Sequence, residues 1–182
     1  DLNSLERIIS KNTAAIIMEP ILFESPKKGF LQSVREIASR NGSLLIFDEM
    51  WTGFRLSLGG AQEYFGVKAD LATFSKAVAN GMPLSILTGS SKIMSMLETD
   101  VFFYTTFGGE ALSLASAKAT LDFMQSRDYF RDISSKGNLL KDKLQQVILN
   151  HKIDFLQLVG YPQRFSLFIN HQAHDSLFIR SI

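Results

Sequence analysis

The sequence predicts an α/β fold built on a mixed, mostly parallel β-sheet. An apolar run without polar alternation at residues 44–47 is typical of a strand that is covered on both faces in a parallel sheet, and further short runs at 14–18 and 71–74 indicate a buried strand before it and another strand after it. Helical spacing of apolar residues lies between them, at residues 30–40 and 61–65, and a crossover helix is the usual link between neighbouring parallel strands. At 182 residues, of which 46% are hydrophobic, the chain is long enough to bury one substantial core.

Turn and capping residues mark where the first predicted elements end. Residues 1–11 look like the end of a helix, and without an initiator methionine we expect the chain to be part of a longer polypeptide. The first strand ends before Pro20, and Gly42 is a common type of helix stop. After the third strand, the turn at 79–83 is short enough for residues 84–88 to return as an antiparallel strand.

The second half of the chain changes from a helix-rich to a strand-rich pattern. Its predicted elements are a helix at 92–97, an extended segment at 101–104, a loop at 105–109, helices at 110–125 and 128–150 with a weak point at Gly137-Asn138, and strands at 153–159 and 164–169 joined by a turn at Gly160-Tyr161-Pro162. We therefore predict that residues 1–126 form part of a large domain. Residues 127–182 would hold a connecting helix and the beginning of a small C-terminal α+β domain.

Composition excludes several classes of function. With a net charge of +1 and no basic cluster, the chain gives no reason to expect a nucleic-acid or membrane-surface partner. The absence of cysteine excludes disulfides, thiolate catalysis and cysteine-based zinc sites. No apolar run approaches the roughly 20 residues needed to span a bilayer, and we expect a cytoplasmic protein. His171 and His174 form an HxxH pair, but outside a helix they do not share one face, so we expect no metal site.

Two charged residues follow neighbouring strands of the predicted sheet. Asp48 ends the run LLIFD, and Lys76 follows the next strand at a spacing that leaves room for one crossover helix. The carboxyl ends of parallel strands form the edge at which open α/β sheets usually bind ligands. A lysine there can form a Schiff base, and a nearby carboxylate can hydrogen-bond a protonated pyridine nitrogen. This is the residue pair that binds pyridoxal phosphate.

The spacing alone leaves two other interpretations open. Both residues could be ordinary solvated side chains at strand ends. Asp48 could also belong to the acidic, magnesium-binding strand of a P-loop ATPase, although the sequence contains no GxxxxGK[ST] segment that would hold the phosphates. This second interpretation gives Lys76 no role.

Five motifs in order resemble the class III pyridoxal-phosphate-dependent aminotransferases, and among these the group around glutamate-1-semialdehyde aminomutase. They are EP at 19–20, GFL at 29–31, LLIFDEMWTGFR at 44–55, GVKADLATFSKAVANGMP at 66–83 and TTFGGEALSLASA at 105–117. The resemblance implies a fold-type I large domain with pyridoxal 5'-phosphate as its cofactor. It also implies an enzyme that transfers an amino group, as an aminotransferase or an aminomutase, on a small amino, keto or aldehyde substrate.

The resemblance further implies roles for four residues. Lys76 matches the lysine that forms the Schiff base and moves a proton between substrate and cofactor. Asp48 matches the partner of the pyridine nitrogen, and Met50 stands where the family packs an apolar side chain against one face of the ring. Thr106 matches a threonine that reaches the cofactor phosphate of the neighbouring subunit, which implies a homodimer with shared active sites.

Several departures from the family pattern leave the substrate open. Trp51 stands where many members carry a glutamine that contacts the cofactor, and an indole can only donate a hydrogen bond. ANGMP at 79–83 replaces a glycine-rich segment, and Glu110 replaces a common asparagine. Arg55 is either a ligand for a substrate carboxylate or an ordinary surface arginine. A non-catalytic remnant or interaction domain of the same fold stays an alternative, because the family's phosphate-binding loop lies upstream of these residues.

Overall fold

A computed structural model describes residues 1–169 of the chain. Its elements, in order, are α1 (Leu2–Ile8), β1 (Ala15–Met18), α2 (Phe30–Asn41), β2 (Leu44–Asp48), α3 (Gly60–Phe65), β3 (Leu71–Phe74), a 3₁₀ turn (Lys76–Ala79), β4 (Ile86–Gly89), α4 (Ser91–Met94), α5 (Met96–Thr99), α6 (Ala111–Gln125), α7 (Tyr129–Asn150), β5 (Leu156–Tyr161) and β6 (Arg164–Ile169). They divide into two compact units. The first holds Asp1–Ile21 and Pro26–Phe130, and the second holds Leu22–Ser25 with the chain from Arg131 onward.

The first unit is built on a four-stranded sheet in the order β1-β2-β3-β4. β1 and β2 run parallel, as do β2 and β3, and β4 returns antiparallel to β3. The crossovers pass through α2 and α3, which is the connection that parallel neighbours require. The prediction of an α/β fold with a mixed, mostly parallel sheet is therefore confirmed.

The core of the first unit lies between β2 and α2. Leu45 and Phe47 are fully buried and pack with Val34 and Ala38 of α2. Because side chains alternate along a strand, the next residue, Asp48, points to the opposite face of the sheet from Phe47. Burial of the apolar side chains thus determines the side of the sheet on which the acid lies.

Asp70, just before β3, fixes the register of the strands at the end away from Asp48. Its Oδ2 atom accepts hydrogen bonds from the Leu45 N–H at 2.7 Å and from the Arg35 guanidinium at 2.6 Å. Its own N–H donates to the Leu45 carbonyl at 2.8 Å. One carboxylate therefore joins α2, β2 and the start of β3, so that the strand ends that follow are held at defined positions.

The segment after β4 differs from the prediction. The expected helix at 92–97 is divided into α4 and α5, because the Ser95 hydroxyl donates to the Lys92 carbonyl and competes for the acceptor that a continuing helix would use. Residues 101–104 form no strand. Phe102 and Phe103 are 95% and 69% exposed, so this stretch lacks the partner strand that an extended segment needs.

The second unit pairs α7, from Arg131, with the β5-β6 hairpin. α7 runs unbroken through Gly137, where a weak point was expected. The hairpin begins at Leu156, three residues later than expected, and its turn is at Pro162-Gln163. Gly160 belongs to the strand and pairs with Phe165. Glycine is required there because a side chain would meet the backbone of the facing strand. The Lys141 ammonium donates to the Gly160 carbonyl at 2.5 Å and joins helix to hairpin.

Substitution of Gly137 by alanine should destabilise the second unit. Alanine normally favours a helix over glycine by about 1 kcal/mol, but here a Cβ atom would lie 2.0 Å from the Pro162 carbonyl oxygen. We expect Gly137→Ala to lower the free energy of unfolding by about 1–3 kcal/mol, as for other overpacked sites. Thermal unfolding of the full-length protein measures the effect. The matched control is Asn138→Ala at the exposed neighbouring position, which should leave the free energy of unfolding unchanged or slightly raised. If both substitutions stabilised the protein equally, the close packing of Gly137 against Pro162 would be contradicted.

Candidate functional site

Asp48 and Lys76 lie at the same edge of the sheet. Asp48 is the last residue of β2, and its register partner on β3 is Thr73. β3 ends at Phe74, so Lys76 leaves the sheet two residues later. The sequence-based prediction that the acid and the lysine follow adjacent parallel strands is therefore correct as topology.

The Asp48 carboxylate has one oxygen available for a ligand. The residue is half-buried, and its Oδ1 atom accepts a hydrogen bond from the Met50 N–H at 2.9 Å. Within residues 1–169, its Oδ2 atom accepts no hydrogen bond. This short loop bond fixes the orientation of the carboxylate and places Met50 next to it. Such an oriented, half-buried carboxylate fits a cationic N–H donor such as a protonated pyridine nitrogen.

Glu49, which sequence reasoning did not single out, supports the loop that follows Asp48. Its side chain is fully buried, and its carboxylate accepts hydrogen bonds from the Ala61 N–H at 2.8 Å, the Gln62 N–H at 2.9 Å and the Thr52 hydroxyl. The two backbone donors belong to the first turn of α3, where a negative charge is favoured. A Cβ atom on Gly60 would lie 2.6 Å from this carboxylate, so glycine is required there.

Removal of the Glu49 carboxylate should loosen this loop. Glu49→Ala removes the acceptor of the buried Ala61 N–H, of the half-buried Gln62 N–H and of the buried Thr52 hydroxyl, and we expect a loss of about 1–3 kcal/mol in the free energy of unfolding. Thermal unfolding of the full-length protein would show it. Glu36→Ala removes an exposed carboxylate from α2 and should change stability by less than about 0.5 kcal/mol. If the two substitutions had equal effects, the structural role of Glu49 would be wrong.

The backbone at Lys76 is strained. Its φ of +49° lies in the left-handed region, which costs a residue with a side chain about 1–2 kcal/mol. Strain of this kind is found preferentially at functional sites. The side chain is exposed, and within residues 1–169 its ammonium forms no ion pair. No carboxylate in this part of the chain therefore competes for the lysine nitrogen.

The 3₁₀ turn that carries Lys76 is anchored on both sides. Val78 and Ala79 are fully buried and pack against Ala117 of α6. The Ser116 hydroxyl of α6 donates to the Ala79 carbonyl at 2.7 Å, and the Ser75 hydroxyl donates to the Leu84 carbonyl at 2.7 Å. These contacts hold the backbone of the turn in place, and the long side chain of Lys76 extends from it into solvent.

Thr106 lies apart from the other predicted site residues. It is exposed in the loop at 105–109, directly before α6, and within residues 1–169 it forms no hydrogen bond with Asp48, Met50 or Lys76. The loop contains a turn closed by the Gly108 N–H, which donates to the Thr105 carbonyl at 3.2 Å. The structure therefore brings Asp48 and Met50 into contact, places Lys76 on the adjacent strand end, and leaves Thr106 facing outward.

Glu110 caps the helix that follows this loop. Its two carboxylate oxygens accept from the Leu112 N–H at 2.9 Å and the Ser113 N–H at 2.6 Å. Hydrogen bonds from the Ser113 hydroxyl and N–H, and from the Leu112 N–H, hold the pKa of the Glu110 carboxyl below its usual value. Glutamate is an uncommon capping residue, so its sequence position alone did not reveal this role.

A cavity of about 850 Å³ adjoins Lys76 on the side of α6. Arg55, Asn80 and Phe123 contribute to its lining, whereas Asp48 and Thr106 do not. The cavity therefore adjoins the lysine at this edge of the sheet without being lined by the acid. Arg55 is half-buried in the loop after β2 rather than on a helix surface. Trp51, in the same loop, is buried, which is consistent with a packing role for its indole.

Residues 1–169 contain no group of three or more histidine, cysteine, aspartate or glutamate side chains arranged to hold a metal ion. His171 and His174, for which the sequence predicted no metal, lie outside the described residues. In the same part of the chain, no helix has the length and apolar character needed to cross a membrane.

Comparison with known proteins identifies the family. The sequence profile of the family described as "Aminotransferase class-III" matches residues 1–160. The chain is 42% identical over 163 residues to the glutamate-1-semialdehyde 2,1-aminomutase of Hyperthermus butylicus, a match that covers 85% of this chain and 38% of that protein. It is 33% identical over 184 residues to the enzyme of the same name from Methanosarcina acetivorans, with 96% and 43% covered.

A solved structure has the same fold. The FumI protein of Sphingopyxis sp. MTA144, in its PLP internal aldimine form, superposes with a TM-score of 0.86 at 26% identity. The superposition covers 96% of this chain and 43% of the FumI chain. The chain thus spans about two fifths of the length of the proteins it matches. Nothing in these comparisons supports a P-loop ATPase. The family match extends over the sheet, the Lys76 turn and α6, and the chain belongs to the class III aminotransferases.

Proposed function

We propose that the protein to which this chain belongs is a pyridoxal-phosphate-dependent enzyme that transfers an amino group through a Schiff base on Lys76. The observation that carries the proposal is the pair at the sheet edge. A half-buried carboxylate with one free oxygen ends β2, and a strained lysine without an ion pair among the described residues follows β3. Membership of the class III family and the PLP-bound structural relative support it.

Each residue has a defined task in this proposal. Pyridoxal phosphate, when bound, supplies an electron sink for the carbanion that forms at the substrate. The Asp48 carboxylate would hold the proton on the pyridine nitrogen through its Oδ2 atom, and the Met50 side chain would lie against one face of the ring. Lys76 would hold the cofactor covalently through its amine, and the same amine can accept and release a proton as a general base and acid. The fixed 3₁₀ turn limits the positions that this amine can reach.

We also propose a homodimer in which Thr106 contacts the phosphate of the cofactor bound to the partner subunit. The loop around Thr106 is unusually apolar for a surface, since Phe102 is 95%, Tyr104 76% and Phe107 79% exposed. A second copy would cover these rings and bring the threonine to the other site. Replacing Phe102 and Phe107 together by serine should shift the full-length protein toward the monomer in light scattering. A variant that stays fully dimeric would contradict this interface.

The proposed substrate is a small molecule that carries an amino group next to a keto or aldehyde carbon. The two curated relatives are named as 2,1-aminomutases, and their chemistry moves an amino group within one molecule. The absence of cysteine agrees with the reducing cytoplasm, where we place the enzyme.

Covalent trapping tests the proposal directly. The full-length protein is incubated with pyridoxal 5'-phosphate, reduced with borohydride and digested, and peptides are analysed by mass spectrometry. We expect a stable adduct on Lys76 and the visible absorption of a Schiff base before reduction. Lys68, which is also exposed and precedes β3, serves as the internal control and should remain unmodified. An adduct distributed over surface lysines, or no adduct, would overturn the proposal and favour the non-catalytic remnant.

A further inference from the structure

Glu110 joins the Thr106 loop to α6 through hydrogen bonds in both directions. Its backbone N–H donates to the Phe107 carbonyl at 3.3 Å, inside the loop. Its side chain accepts from the N–H groups of Leu112 and Ser113, inside the helix. Gly109, with a φ of +75°, sits between loop and helix and allows the chain to turn at this point. The orientation of the loop on the helix therefore depends on a residue that bonds in both directions.

The next turn of α6 extends this connection to the lysine. The Ser113 side chain is fully buried, and its hydroxyl lies 3.4 Å from the Pro83 carbonyl. One turn further, the Ser116 hydroxyl donates to the Ala79 carbonyl, at the end of the turn that begins with Lys76. One face of α6 thus carries a row of polar residues at 110, 113 and 116, which contacts the Thr106 loop at one end and the Lys76 turn at the other.

We propose that Glu110 is a positioning residue that holds the loop at 105–109 in register on α6, so that Thr106 meets the cofactor phosphate. The inference rests on the proposed function. Glu110 does not bind the phosphate itself, because both are anions. Its carboxylate occupies the N–H groups of Leu112 and Ser113 in the first turn of α6, so those donors are not free for the phosphate, and the contribution of this segment would come from Thr106 in the loop. The position of the loop then determines how tightly the phosphate group is held.

The test separates the phosphate group from the rest of the cofactor. Dissociation constants of the full-length apoenzyme are measured for pyridoxal 5'-phosphate and for pyridoxal, which lacks the phosphate. Loss of a helix cap corresponds to about a 2- to 30-fold change in an equilibrium constant. We expect Glu110→Ala to weaken pyridoxal 5'-phosphate by about that factor and to leave pyridoxal unchanged. General damage to the fold would weaken both ligands equally, and that result would overturn the inference.

Two further variants keep the proposal testable if Glu110→Ala folds poorly. Glu110→Asp retains a carboxylate of the preferred capping length and should restore the preference for the phosphorylated ligand. Glu63→Ala is the matched control, because Glu63 also accepts a backbone N–H bond, from Gly59 at 2.7 Å, but on α3. Glu63→Ala should not change the ratio of the dissociation constants for pyridoxal 5'-phosphate and pyridoxal. If Glu110→Gln instead tightened pyridoxal 5'-phosphate, the carboxylate would be repelling the phosphate and the positioning role would be wrong.

The outcome for the wild-type protein distinguishes this inference from the proposed function. If the wild type binds neither ligand at Lys76, both are overturned. If the wild type forms the Lys76 adduct but Glu110→Ala leaves the ratio of the two dissociation constants unchanged, only the positioning role of Glu110 falls.

Discussion

Replacement of Lys76 by alanine should abolish amino-group transfer. Among residues 1–169, β3 and the turn that follows it carry no lysine besides Lys76, and loss of proton transfer alone slows a reaction by about 10²- to 10⁴-fold. Loss of the covalent bond to the cofactor adds to this. We expect kcat to fall by about 10⁴-fold or more, measured by single-turnover kinetics of the full-length enzyme with an amino donor. Lys76→Arg keeps the positive charge and should be as inactive, because a guanidinium forms no Schiff base under these conditions.

Two observations separate a chemical from a structural effect of this substitution. A small primary amine in the buffer should restore part of the rate of Lys76→Ala, since it can take over the proton transfer. The alanine variant should also be no less stable than the wild type, because Lys76 forms no ion pair among residues 1–169 and has a strained backbone. Full activity of Lys76→Ala would disprove the catalytic role, whichever substrate is used.

Replacement of Asp48 by asparagine should give the second largest loss. An amide is close in shape to a carboxylate but cannot hold a proton on the pyridine nitrogen, so the charge-assisted bond is lost. Hydrogen bonds to charged groups contribute about 1.5–3 kcal/mol, which corresponds to about a 10- to 150-fold decrease in kcat/KM. The loop should persist, because the asparagine oxygen can still accept from the Met50 N–H.

The same experiment has a matched control on the surface. Asp122 is an exposed carboxylate paired with Lys118 on α6, at 2.6 Å. Because such surface pairs contribute little, Asp122→Asn should leave kcat/KM within about twofold of the wild type. An Asp48→Asn enzyme with wild-type kinetics would show that this carboxylate is only a strand-end residue, as the spacing alone allowed.

The fold was predictable because it depends on local patterns. The apolar runs became β1, β2 and β3 of a mostly parallel sheet, although Ile17 of β1 is 67% exposed, and the glycine after α2 ended that helix as expected. Predictions were less accurate where a single contact decides. The Ser95 hydroxyl divides the helix expected at 92–97, whereas α7 stays continuous at Gly137, where the close approach of Pro162 leaves no room for a side chain.

The supporting residues of the site were not predictable. Glu49 follows Asp48 in an acidic pair, and nothing in the pair itself shows which carboxylate will be buried. Its burial requires the first turn of α3 to fold back over the end of β2. In the same way, the hydroxyl of Ser116 becomes important only when α6 packs on the Lys76 turn. These contacts join residues that are far apart in the chain, so no local pattern records them.

The sequence by itself determined the α/β order and the adjacency of Asp48 and Lys76, because strand order follows from hydrophobic periodicity and crossover length. It also determined the family, through the five motifs in order. Only the tertiary structure decided how the two are presented. Burial of Phe47 under α2 directs Asp48 to the other face of the sheet, and the turn that begins with a left-handed backbone at Lys76 packs through Val78 and Ala79 against Ala117 of α6. Orientation and strain depend on packing between distant segments, and this becomes defined only when the chain has folded.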